Sequence, residues 1–123
     1  MPPTLPRIVA ITGATGFIGV ALVKALAESM NEVRILSRKQ TIDSPALFGA
    51  KHFQGDIGLA IPAGFLEGVD TLYHLAAELE EPSKMYTVNV RGTSALLASA
   101  IAAGVRRWIQ LSSIGVYGPP TCP

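Results

Sequence analysis

Cysteine occurs once in this chain of 123 residues, as Cys122, so no internal disulfide framework can hold it together. Cys122 sits near the end behind two prolines, the surroundings of an unpaired thiol of no consequence rather than of a nucleophile. Neither sign of charge dominates. Ten Lys and Arg against nine Asp and Glu leave a formal charge of +1, which gives no footing for a nucleic-acid groove or an anionic membrane surface. Long apolar runs are missing too: the longest, residues 95–103, is interrupted by Ser99 and is too short to span a bilayer. The opening MPPTLP has no basic stretch followed by an apolar one, so it does not read as a signal peptide. The expected setting is the cytoplasm. Histidine is scarce as well. His74 lies within an apolar run, the place of a satisfied core histidine, and His52 is distant in sequence, so no metal site is expected.

What the chain does have is apolar residues, 49% of the total against 15% charged, enough for one folded domain with one core. Short apolar runs alternate with helical stretches. Residues 7–12, 32–37, 51–54, 71–76 and 107–111 read as strands. Residues 17–29 read as a helix in which Ile18, Leu22 and Leu26 recur every four positions. Residues 83–103 read as a long helix stopped by Gly104. Residues 41–50 are expected to be irregular, and 57–68, rich in Gly and Pro, to hold at most a brief helix around Phe65 and Leu66. Strands alternating with helices imply parallel β-α-β units. The fold class is therefore α/β, a doubly wound parallel sheet of five strands in the order 3-2-1-4-5. Its topological switch point lies between strands one and four, where ligands bind at the carboxyl ends.

Residues 11–19 read ITGATGFIG, placing Gly13, Gly16 and Gly19 between the first strand and the first helix. One glycine takes the tight turn, one admits a diphosphate close to the backbone, and one packs helix on strand. Free N–H groups around Gly16, Phe17 and Ile18, flanked by Thr15, then face the anion, helped by the helix dipole. No Gly-Lys-Ser/Thr follows, which excludes a P-loop.

The stretch TGATGFIG resembles the loop of the extended short-chain dehydrogenase/reductases, the group of NAD(P)-dependent epimerases and dehydratases, and other motifs follow in register. GDI (residues 55–57) resembles the turn whose Asp contacts adenine, which implies Asp56 and Ile57 as cofactor residues. YHLAA (73–77) resembles the fourth strand, which implies Leu75, Ala76 and Ala77 beside the cofactor ribose. NVRGT (89–93) resembles the family's long helix, and LSSIGVYG (111–118) its fifth strand, which implies Ser113 as the catalytic serine. By that resemblance the chain is the amino-terminal part of a Rossmann enzyme. Residues 1–6 form a flexible extension, 7–118 a partial NAD(P)-binding domain and 119–123 a terminal loop. The long helix is the surface through which such proteins often dimerise.

The family's acid–base pair is a Tyr with a Lys four residues later. Here Tyr73, Tyr86 and Tyr117 are followed at that distance by Ala77, Val90 and Thr121. The chain therefore reads as the cofactor-binding part of a longer oxidoreductase acting on a hydroxyl or carbonyl of a small molecule such as a nucleotide sugar. A non-catalytic dinucleotide-binding module, a redox sensor or assembly subunit, stays open beside it. For the cofactor, a carboxylate at the end of the second strand would select NAD. Ser37, Arg38 and Lys39 stand there instead. A guanidinium can pair a 2′-phosphate and stack on adenine, and Ser37 can donate a further hydrogen bond. The expected cofactor is NADP(H) rather than NAD(H).

Overall fold

The structure, a computed structural model, describes residues 5–47 and 49–119. Cys122 and the outer parts of both expected terminal segments lie outside the described residues. The order is β1 (Ile8–Thr12), α1 (Phe17–Glu28), β2 (Glu32–Ser37), a 3-10 turn (Pro45–Leu47), β3 (Lys51–Gln54), β4 (Thr71–His74), α2 (Pro82–Met85), a π-helical stretch (Tyr86–Gly92), α3 (Thr93–Ala102), β5 (Arg107–Gln110) and a second 3-10 turn (Ile114–Tyr117). The five strands form one parallel sheet in the order β3-β2-β1-β4-β5, as expected.

Both faces of the sheet are covered, which explains why its central strands are apolar without alternation. Along β1 the side chains still alternate. Val9 and Ile11 join Val23, Val33, Ile35 and Leu47 on the α1 side. Ala10 joins Leu36, Phe65, Leu72, Leu96 and Ala100 on the other. β5, at the edge, is mostly exposed.

Two expectations need correction. The buried positions of α1 are Gly19 and Val23, with Leu22 and Leu26 packed beside them, while Ile18 is 50% exposed. The apolar stripe is thus rotated by one residue, because the glycine at 19 sets the line of closest approach. The long helix is not α throughout: its middle is wound as π-helix. The stretch around Phe65 and Leu66 stays within its expectation of at most a brief helix, since it forms turns only. Gly64 and Gly68 take φ of +83° and +73°, and the carbonyls of Gly64, Phe65 and Glu67 turn onto the Arg34 guanidinium at 2.9, 3.3 and 2.6 Å. Arg34 is only 8% exposed on β2. Its buried charge draws in carbonyls that a helix would have directed along its own axis.

Candidate functional site

The carboxyl ends of β1, β2 and β4 open onto one cleft of about 320 Å³, within the size range of small-molecule sites. Its walls include Gly13, Thr15, Gly16, Ser37, Arg38, Asp56, Ile57, Leu75, Ala76 and Ala77, all anticipated from the sequence. Phe17, Ile18 and Gly19, also expected from the sequence, are not among the residues that line it, and Phe17 is 97% exposed. Ser113 stands apart, on an exposed shallow surface with Ser112, Ile114, Val116 and Tyr117. Its Oγ accepts the Gly115 N–H at 3.1 Å.

The three glycines divide their work. Gly13 has φ +73°, and a Cβ there would lie 2.7 Å from the Ala76 nitrogen and 2.8 Å from the Leu75 carbonyl carbon. A Cβ on Gly19 would collide with the Gly13 carbonyl oxygen and the Ala14 backbone. Gly16 is different: a Cβ there meets nothing nearer than the Gly13 oxygen at 3.5 Å, so the space before it belongs to the cleft. The Gly16 N–H is committed to the Gly13 carbonyl at 3.2 Å, and the first intrahelical bond runs from the Val20 N–H to the Gly16 carbonyl. The free donors of the first turn are thus those of Phe17, Ile18 and Gly19, one position later than expected for Gly16.

On the β2 side, the Ser37 Oγ accepts the Lys39 N–H at 3.1 Å. That bond shapes the turn presenting Arg38, whose side chain is exposed on the cleft. Asp56 forms a tight turn of its own, its Oδ1 accepting the Gly58 N–H at 2.8 Å, and it still reaches the cleft wall.

On the β4 side, His74 is buried and uses both ring nitrogens. Nδ1 lies 2.7 Å from Thr12 Oγ1 and Nε2 2.8 Å from Thr93 Oγ1. The same Thr12 oxygen accepts the Ala76 N–H at 3.2 Å. Burial pushes the His74 pKa below its ordinary value, keeping the ring neutral. His74 is therefore the satisfied core histidine that its apolar surroundings suggested.

Sequence reasoning missed Thr12, Leu36, Gly55, Glu78 and Val88 as cleft residues. Thr12, Leu36, Gly55 and Glu78 adjoin residues that were found, so simple adjacency was the available signal. Val88 arrives through the fold alone. Asn89, beside it, bonds the Glu78 backbone twice: it accepts the Glu78 N–H at 2.8 Å and donates to the Glu78 carbonyl at 2.9 Å.

A parallel 3-2-1-4-5 sheet with a glycine loop at its switch point defines a Rossmann-type dinucleotide-binding domain. The chain belongs to the NAD dependent epimerase/dehydratase family, whose model it matches over residues 9–123. It is 39% identical over 115 residues to sterol demethylase protein B of Methylococcus capsulatus, covering 88% of this chain and 35% of that protein. It is 33% identical to the UDP-glucose 4-epimerase of Streptomyces lividans, covering 89% of this chain and 37% of that enzyme. Among solved structures, it resembles a short-chain dehydrogenase/reductase superfamily protein from Agrobacterium tumefaciens with bound NAD. There the TM-score is 0.75 at 32% identity, over 91% of this chain and 34% of the other. The chain thus spans about a third of the length of the proteins it matches.

Proposed function

We propose that the chain is the NADP(H)-binding part of an epimerase- or dehydratase-like oxidoreductase acting on a hydroxyl or carbonyl, such as that of a nucleotide sugar. One observation carries the cofactor reading. The cradle at Gly16 and the Arg38 side chain, which has no partner among the described residues, share one cleft, with the free N–H groups of α1 directly after Gly16 and no carboxylate at the end of β2. The relative from A. tumefaciens holds NAD, which supports a nicotinamide dinucleotide of some kind. Arg38 then favours the 2′-phosphorylated form.

In this reading the Phe17, Ile18 and Gly19 N–H groups receive the diphosphate. Asp56 and Ile57 border adenine, Arg38 pairs the 2′-phosphate with Ser37 beside it, and Leu75, Ala76 and Ala77 flank the second ribose. The dinucleotide supplies the site with hydride transfer. Ser113 supplies a hydroxyl to the substrate oxygen in the full-length enzyme. The second reading, a non-catalytic dinucleotide-binding module, would be favoured by a longer form of the protein that lacks a Tyr with a Lys four residues later.

Titration of the chain with NADPH and NADH tests the cofactor. NADPH is expected to bind about tenfold more tightly, the scale of one charge-assisted contact, and Arg38→Asp should abolish the difference. Equal affinities for both would overturn the NADP(H) preference. A folded sample that binds neither would overturn the cofactor site itself. Turnover by a longer form of the protein, with a hydroxyl substrate, separates the enzyme from the binding module.

A further inference from the structure

Glu78 ends the β4 wall of the cleft, immediately after Ala77, and it is held from two directions. Asn89 clamps its backbone with the pair of bonds given above. Its own Oε1 accepts the N–H groups of Glu80 at 2.9 Å and Glu81 at 3.1 Å. Those two backbone bonds, and after them the charges of Lys84 and Arg38, lower its pKa and keep it ionised. Lys84 is already paired, at 3.0 Å, with Glu81. The Arg38 side chain makes no hydrogen bond or ion pair with any described residue, and it lines the same cleft as Glu78. A fixed anion and an uncommitted cation therefore share the walls of one ligand space.

We propose that Glu78 is a specificity-determining residue, an anchored carboxylate that competes with a ligand phosphate for Arg38 and so lowers the preference for NADP(H) over NAD(H). This rests on the reading of Arg38 as the 2′-phosphate partner. Two effects act in the same direction. Glu78 attracts the guanidinium in the free protein, and it repels a phosphate monoester that enters the cleft. NAD(H) carries no 2′-phosphate and is spared both. Asn89 holds the Glu78 backbone and the two N–H groups hold its carboxylate, so the charge stays at the cleft wall when the phosphate arrives.

Glu78→Gln tests the inference, since the amide oxygen can still accept the Glu80 and Glu81 N–H groups while the charge is gone. Dissociation constants for NADPH and NADH are measured on the full chain as wild type, Glu78→Gln, Arg38→Gln and the double variant, with melting curves alongside. The expected result is an approximately threefold gain in NADPH affinity for Glu78→Gln, the scale of an exposed ion pair, with NADH unchanged and the gain reduced when Arg38 is also replaced. Affinities for both nucleotides that move together, or that do not move, overturn it, as does a gain of undiminished size without Arg38. If the wild type fails to discriminate between the nucleotides, the NADP(H) preference falls. The Glu78→Gln comparison still decides the role of Glu78.

Discussion

The Thr12 hydroxyl joins His74 and Ala76 across two strands: its oxygen lies 2.7 Å from His74 Nδ1 and accepts the Ala76 N–H at 3.2 Å. A neutral imidazole carries one ring proton, so His74 donates to one of the two threonine hydroxyls and accepts from the other. The floor of the cleft and the start of α3 thus depend on one neutral imidazole.

This makes stability depend on pH. The folded pKa of His74 lies below the ordinary 6.5, so between the two values the unfolded chain binds the extra proton. The contribution is complete above pH 6.5 and is lost as pH falls toward the lowered folded value. Denaturant melts from pH 8 to 5 should show that decline, and His74→Asn, less stable at pH 8, should show a smaller one. An unchanged slope in the variant would assign the decline to other groups.

Gly13 and Gly16 should separate stability from binding. Gly13→Ala forces a Cβ onto backbone at positive φ and is expected to cost roughly 2–4 kcal/mol, read as a drop in melting temperature. Gly16→Ala should melt close to wild type and yet lose about tenfold or more in dinucleotide affinity, because its Cβ enters the space a diphosphate needs.

Arg34→Met should destabilise the chain by about 3 kcal/mol or more. It keeps the aliphatic stem but removes the donor shared by the carbonyls of Gly64, Phe65 and Glu67, of which the Phe65 bond is buried and the other two part-buried. Hydrogen exchange should then speed up first in residues 62–69, before the rest of the sheet responds.

Asn89→Ala removes two bonds to the Glu78 backbone at a cost of about 1–3 kcal/mol. Asn89→Asp keeps the acceptor for the Glu78 N–H but turns an oxygen toward the Glu78 carbonyl. It should therefore recover only part of the loss, as measured by thermal melts.

The central strands were legible because a parallel sheet buried on both faces writes itself as short apolar, β-branched runs, as residues 32–37 do for β2; residues 51–54 also match β3 residue for residue, although that strand is neither β-branched nor buried. The glycine loop was legible because each of its glycines answers a local steric demand. Arg34 hid the fate of residues 62–69: a charge within an apolar strand gives no sign that distant carbonyls will gather on it. Glu78 was hidden for a related reason. The Asn89 that clamps its backbone comes from the π-helical stretch, and the sequence periodicity of residues 83–103 carries no mark of that winding.

That winding has a geometric consequence. Leu96 and Ala100 must face the sheet, while Asn89, a turn or two earlier, must face the end of β4. A Cβ on Gly92 would lie 2.9 Å from the Ile57 carbonyl oxygen, so the helix has no room to roll as a whole. The wide turn acts as a phase shifter between the two demands. Winding Tyr86–Gly92 as regular α-helix with no residue removed, at about 100° per residue, would rotate everything before it by roughly 100°. The core would keep its helix, and the cleft would lose the clamp on its wall.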